Sequence, residues 1–441
     1  MGAVNRLIVL VFLVLATALG PVTAISAEPR TERAEQALIG WYRLVLVLIR
    51  HTPTYSPPVA SRTLAYIGVG AFEGVASGAD DMQSLAGQLN GLRPLPRRET
   101  GQAYDEAVVV NASLTTLVRE LFKNTGPTGQ RVVDLNSDKL RAEVTEGLAA
   151  DVVARSEAYG QQVAAHVLAW SRGDGGEVIE NMGFPYDYTL TSGPAHWVPT
   201  SLISQQQAPL LPKWGANRTF AMPSGKTCGL PKPLDYSEDK VSPFYAEALE
   251  VHDTVQNLTP EQRAIARFWS DDPMLSPTPP GHWISIALQI IDRDKVDLKR
   301  SVDVLARLGI VLADSFIGCW DAKFQYDLVR PVTYIRRIID PAWEPLLITP
   351  PFPEYPSGHS TQSGAAAAVL TKFFGENFAF EDNTREGDGL KPRKFANFWA
   401  AAKEAALSRL LGGIHFRSAI ERGLQQGRCI GDYTIALRTR R

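Results

Sequence analysis

Cysteine is scarce in this chain: Cys228, Cys319 and Cys429 are the only three among 441 residues. So few exclude a disulfide framework and leave room for one bridge and one free thiol, with the pairing open. None stands in a C-x-x-C pair or beside histidines at zinc-ligand spacing, so structural zinc is not expected. Charge of one sign is also lacking. With 45 Lys and Arg against 47 Asp and Glu the net charge is -2, which predicts no nucleic-acid partner and no polybasic membrane surface. Any cationic chemistry must therefore be local. No run after the amino terminus is long and apolar enough to span a bilayer, so no membrane span is expected in the mature chain. There is no repeat of fixed period and no alternation of strand and helix, which argues against solenoids and doubly wound sheets.

What is present begins with residues 1–27. Arg6 precedes the apolar run Leu7 to Leu15, and small residues follow through Ala24 and Ala27. That is the layout of a secretory signal peptide and implies a secreted or periplasmic protein. Residues 28–441 are read as a single helical domain, with an amino-terminal half over 28–257 and an active-site half over 258–441.

The apolar period is that of helices nearly throughout, and the fold class expected is all-α, built of helical bundles. Residues 61–75 carry an apolar stripe with small residues suited to close helix contact. Residues 101–123 and 141–172 give two longer amphipathic segments, the second ended by Gly173, Gly175 and Gly176. Between about 177 and 235 the period disappears into Pro, Gly, Trp and Ser, a long irregular excursion with room for short strands. Helices resume at Thr259, a good N-cap, with Pro260 in the first helical position. Further helices are expected at about 281–294, 297–325, 358–374, 393–411 and 416–437. Residues 375–392 are read as a polar surface loop.

Three short pieces carry chemistry. In the first, Lys323 and Arg330 stand seven apart, two helical turns, so both can face one way, and Pro331 places Arg330 near a helix end. In the second, prolines from Pro350 to Pro356 lead into Ser357, Gly358 and His359 and then a small-residue helix. The free N–H groups and positive end of that helix suit an anion, Gly358 leaves the backbone approachable, and the Ser357 hydroxyl can donate. In the third, Gly412 and Gly413 break the chain between Arg409 and His415, which makes that histidine more exposed and orientable than one inside a helical stripe. Taken singly, each piece has a plain alternative: a solvated face, a capped helix, a structural histidine.

Together, Lys-x6-Arg-Pro, Pro-Ser-Gly-His and Ser-Arg-x5-His in this order resemble the superfamily of vanadium-dependent haloperoxidases and type 2 phosphatidic acid phosphatases. Residues 268–272 and 278–283 look like the segment ahead of the active site in bacterial vanadium haloperoxidases, and secreted bacterial iodoperoxidases look closest. The resemblance implies vanadate as cofactor, bound by Lys323, Arg330, Ser357, Gly358 and Arg409, with His415 as axial metal ligand and His359 as acid–base residue. It implies that Lys323 polarises bound hydrogen peroxide, that Trp320 and Phe352 line the halide pocket, and that iodide or bromide is oxidised to hypohalous acid, with room for an organic halogen acceptor. The algal bromoperoxidases carry histidine at the Phe352 position, so this chain departs from that branch.

One position breaks the pattern. Where the family carries Asp in His-x3-Asp to orient the axial histidine, this chain has Ala419. Glu421, Asp271 and Asp272 are the substitutes considered, the two aspartates also as partners for Arg409. An acid phosphatase using His415 as nucleophile is the alternative activity, and a non-catalytic oxyanion binder is a third reading.

Overall fold

A computed structural model describes residues 30–441, and the expected signal peptide lies outside the described residues. The helices in chain order are α1 (Arg30–His51), α2 (Pro57–Ala76), α3 (Glu106–Leu121), α4 (Gly126–Thr145), α5 (Ala150–Ser171), α6 (Pro243–Gln256) and α7 (Pro260–Phe268). They continue with α8 (Thr278–Asp294), α9 (Leu298–Tyr326), α10 (Pro331–Ile338), α11 (Gly358–Phe374), α12 (Phe398–Leu411) and α13 (Arg417–Ile435). Two three-residue strands, β1 (Phe380–Asp382) and β2 (Arg393–Phe395), pair antiparallel and are the only named strands among the described residues. The fold is all-α, as expected.

Helix α9 organises the molecule because it belongs to both bundles. On one side it packs against α2, which α3 and α5 flank, while α1 touches α9 and packs with α4 on α3. On the other it packs against α11 and α13, with α12 alongside. Every residue of α2 after Pro57 is buried, the pattern of a helix enclosed on all sides. Its small residues have a specific use. A Cβ at Gly68 would fall 2.8 Å from Ala306 Cα, and one at Gly309 would fall 2.7 Å from the Leu64 carbonyl oxygen, so the two backbones touch. The second bundle repeats the device between α11 and α13, where a Cβ at Gly364 would lie 2.7 Å from the Leu424 oxygen.

Several boundaries differ from expectation. Helices α1, α4, α6 and α10 were not singled out by the apolar period. The segment 141–172 is two helices, because Gly147 takes φ +72° between α4 and α5. At Thr259 the expected cap is present as a full capping box with Gln262. The excursion over 177–235 contains no named strand; it has three short 3-10 turns and one isolated bridge, His196 to Leu328. Its backbone is anchored instead by Asp314 of α9, whose buried carboxylate accepts the N–H groups of Phe220, Ala221 and Met222 at 2.6–3.0 Å. At its end Cys228 is joined to Cys429 of α13, leaving Cys319 as the buried free thiol.

The stretch read as a polar surface loop is only partly one. Phe380 and Asp382 of β1 face inward and Glu381 outward, and Phe380 packs on Phe395 across the pair. The period-2 alternation of Phe-Glu-Asp puts a carboxylate in the interior, where it finds a histidine (below). Helix α12 accordingly starts at Phe398 rather than 393, capped by Asn397.

Candidate active site

The site lies where α9 ends, α11 begins and α12 turns into α13. Lys323 and Arg330 do not share a helix face, contrary to the spacing argument. Helix α9 stops at Tyr326, Asp327 takes left-handed φ/ψ, and Arg330 is the N-cap residue of α10. The chain turn, not helical period, brings the two cations together. Lys323 is fully buried, and its Nζ donates to the carbonyls of Pro353, Glu354 and Pro356 at 2.8, 3.0 and 2.5 Å. All three of its protons thus fasten the proline-rich approach to α11. Its ammonium also sits 5.1 Å from the centre of the Phe352 ring, and Trp320 and Phe352 pack 4.9 Å apart.

Ser357 is the N-cap of α11, its hydroxyl accepting from Ser360 N, while its own N–H donates to the Ala419 carbonyl. That last bond ties the start of α11 to α13. Around Gly358 a Cβ would meet Phe316 and Trp320 at 3.7 Å and Cys319 Sγ at 4.0 Å, all ordinary contacts, so the backbone there is approachable. Arg409 donates to the carbonyl of Trp269 and to the Ser408 hydroxyl.

His415 is buried, not exposed as the glycine break suggested, with Glu354 of the Pro350–Pro356 approach against its ring. Arg330 Nη1 stands 3.2 Å from its Nε2 and donates to the Ile414 carbonyl. A guanidinium can only donate, so Nε2 carries a lone pair and the proton is on Nδ1. That Nδ1–H meets Glu354 Oε1 at 2.9 Å, and the same oxygen accepts from Phe416 N at 2.8 Å.

Glu354 is the residue that sequence reasoning missed. It does what the absent aspartate at Ala419 would do, from a different segment. None of the substitutes considered takes that place. Glu421 is exposed. Asp271 bonds His282 and Arg385, and Asp272 stays with the field of Arg409. Both aspartates act on Arg409 electrostatically rather than as hydrogen-bonded partners. A signal was available: a lone carboxylate inside a proline run five residues ahead of His359, where burial needs a partner.

The electrostatics are those of a cavity short of negative charge. Burial lowers Lys323 to about 7 and lowers Arg330 and Arg409 to about 10. Burial likewise pushes Glu354 up to about 7. His415 is held well below the usual histidine range by burial and then by Arg330, Lys323, Arg409 and His359, each near enough to act on its ring. His359 is lowered for the same first reason and then by Arg409, with Asp271 opposing. Four buried atoms here lack any hydrogen-bond partner: Arg330 Nη2, Glu354 Oε2, His359 Nε2 and Ser360 Oγ. Native interiors leave few such atoms, and Arg330 Nη2 and His359 Nε2 are thereby free to meet a polar ligand. Three cations, a helix N-terminus and a neutral imidazole lone pair fit a tetrahedral oxyanion with a metal centre open to one nitrogen. No cluster of three or more His, Cys, Asp or Glu able to hold a bare cation exists among the described residues.

Fold and site thus define an all-helical protein with a cluster of buried cations and histidines, and comparison with known proteins narrows this. Residues 303–441 match the family model described as the VCPO second helical-bundle domain. The crystal structure of a protein described as the first bacterial vanadium-dependent iodoperoxidase is 36% identical, covers 93% of this chain and 97% of that one, and superposes with a TM-score of 0.82. A holo-type bacterial vanadium-dependent chloroperoxidase, 17% identical with a TM-score of 0.67, shares the fold over 92% of this chain. The vanadium chloroperoxidase of Curvularia inaequalis is 24% identical over 224 residues, a match spanning 36% of that protein's length. The chain belongs to the vanadium haloperoxidase family, a family of peroxidases with vanadate as cofactor.

Proposed function

We propose that this chain oxidises iodide or bromide with hydrogen peroxide, consuming one proton and releasing hypohalous acid and water. The observation that carries the site assignment is His415: its Nδ1–H is locked on Glu354, so Nε2 offers a lone pair beside Arg330. His415 is the metal ligand in this reading. Lys323, Arg330 and Arg409 balance the charge of the oxyanion, and the Ser357 hydroxyl and Gly358 N–H add directional bonds. Bound vanadate supplies Lewis-acid activation of peroxide without changing its own oxidation state.

The remaining work belongs to the protein. His359, on the α11 side, accepts and returns the proton that the reaction requires; burial keeps its imidazole neutral until that proton is delivered. With all its N–H groups on carbonyls, Lys323 fixes the approach loop and supplies charge; it polarises peroxide once one of those bonds is exchanged. Trp320 and Phe352 form the apolar wall facing the halide, with an organic halogen acceptor as a further partner. No helix among the described residues is long and apolar enough to cross a membrane. The Cys228–Cys429 disulfide supports export through the 1–27 signal to a secreted or periplasmic location.

The test uses the purified mature protein, loaded with orthovanadate and assayed for peroxide-dependent oxidation of iodide and bromide. Phosphate ester hydrolysis is followed in parallel with p-nitrophenyl phosphate. Halide oxidation that depends on vanadate supports the reading; none after loading, with ester hydrolysis present, would replace it by phosphatase chemistry.

A further inference from the structure

His282 has no part in the roles just described, yet it is among the most constrained side chains in the molecule. It is fully buried on α8, with its ring stacked 4.6 Å from that of Trp269. Its Nδ1 is 3.0 Å from both oxygens of Asp271, and its Nε2 is 2.9 Å from Asp382 Oδ2 of β1. Both carboxylates are themselves buried. Two carboxylates can only accept, so both ring nitrogens carry protons and the ring is a cation. Burial alone would lower its pKa, but Asp271 and Asp382 outweigh that and raise it to about 10. Buried charge persists when it is paired, and here the pairing runs in a chain.

At one end of the chain is the active site. Asp271 Oδ2 lies 3.9 Å from the unpartnered Nε2 of His359, and Arg385 Nη1 binds the other Asp271 oxygen at 2.5 Å. Asp271 is held in left-handed backbone geometry, φ +51°, so several contacts fix where it points. At the other end is the surface. Asp382 Oδ1 accepts from Thr384 N and Oγ1 at 3.0 and 2.7 Å, and Thr384 is only half-buried in the turn between β1 and β2. Arg385 continues to Asp388, which meets Arg50 of α1. The charged groups facing this corner are therefore Asp271, Asp272, Asp382, Arg385, Asp388, His359 and Arg409.

We propose that His282 is a positioning residue for His359: clamped between Asp271 and the hairpin carboxylate Asp382, it aims Asp271 at His359 Nε2 and so fixes which nitrogen of that imidazole carries the proton. The inference rests on the reading of His359 as the acid–base residue. With Nε2–H directed at Asp271, Nδ1 is the nitrogen left to face the oxyanion space. The β1–β2 hairpin, which lies in sequence between His359 and Arg409, becomes part of the active-site framework.

The test is made first on the vanadate-free protein labelled with 15N-histidine, by two-bond proton–nitrogen spectra, with the His359 signal identified by its loss in His359→Gln. The wild type is expected to show one tautomer, protonated at Nε2. His282→Gln and the nearly isosteric Asp382→Asn are expected to give a mixture of tautomers for His359 while the His415 signal stays unchanged. On loading, both variants should retain vanadate as the wild type does and lose about tenfold in kcat, with KM for peroxide and halide unchanged. A His359 signal identical to wild type in folded Asp382→Asn protein would overturn the proposal and leave the chain a purely structural brace. Because the spectra need no vanadate, they stand apart from the halide assay: a protein that fails to oxidise halide can still show or fail to show the tautomer shift.

Discussion

The two histidines of the site are held in opposite ways. His415 meets its carboxylate, Glu354, at hydrogen-bonding distance, and Arg330 covers its other nitrogen. His359 has its carboxylate, Asp271, at 3.9 Å and no hydrogen bond at Nε2. The anchor of His415 comes from the adjoining approach loop; that of His359 is relayed from α8 and the hairpin. A residue that binds a metal centre gains from a fixed tautomer and orientation, since both set the direction of its lone pair. One that takes up and returns a proton needs a partner near enough to steady it and far enough to let its charge change. The contrast in anchoring thus agrees with the roles proposed for the two histidines, ligand for His415 and acid–base residue for His359.

The largest test of this contrast removes the ligand. His415→Ala should retain no vanadate after gel filtration and show no halide oxidation; stoichiometric vanadium on that variant would mean the ligand is misassigned. His359→Ala should keep vanadate but lose about 10²–10⁴-fold in kcat, the usual worth of a positioned acid–base group. If it lost the cofactor instead, the roles of the two histidines would have to be exchanged. Glu354→Ala should weaken vanadate binding by about 10–100-fold, measured by equilibrium dialysis, and adding Ala419→Asp should recover part of it. No recovery would show that the α13 position no longer faces Nδ1.

The smallest effect concerns pH. His282 is raised from 6.5 to about 10, so the stability it contributes is fully present below the unfolded value and lost as pH rises through the folded one. The gap in melting temperature between wild type and His282→Gln should therefore be wide below pH 6.5 and narrow toward pH 10. A gap constant across that range would show that the ring titrates alike in the folded and unfolded chain.

Much of this was legible in the sequence because motif order is a strong constraint. Ser357, Gly358 and His359 sit at a helix start as the prolines and small residues implied, and Thr259 caps α7 ahead of Pro260 as expected. The failures have physical causes. Lys323 and Arg330 were placed on one helix face because a spacing of seven is two turns, yet Asp327 in left-handed geometry ends the helix between them. Glu354 and Asp382 were passed over because a carboxylate in a loop reads as solvated. Both are buried, and each has a histidine partner far away in sequence, His415 and His282. Sequence period reports which face of an element is apolar; it does not report a polar side chain buried through a distant partner.

The disulfide has a topological consequence. Cys228 and Cys429 are 201 residues apart and close a covalent ring. Inside that ring lie Asp271, His282, Lys323, Arg330, Glu354, His359, Arg409 and His415, whereas helices α1 to α5 lie outside it. A protease that nicks the exposed turn at 386–387 cuts the ring once and releases nothing: every residue of the site remains on one covalent molecule. For a protein proposed to work outside the cytoplasm beside its own oxidant, the catalytic half of the chain can be broken without coming apart.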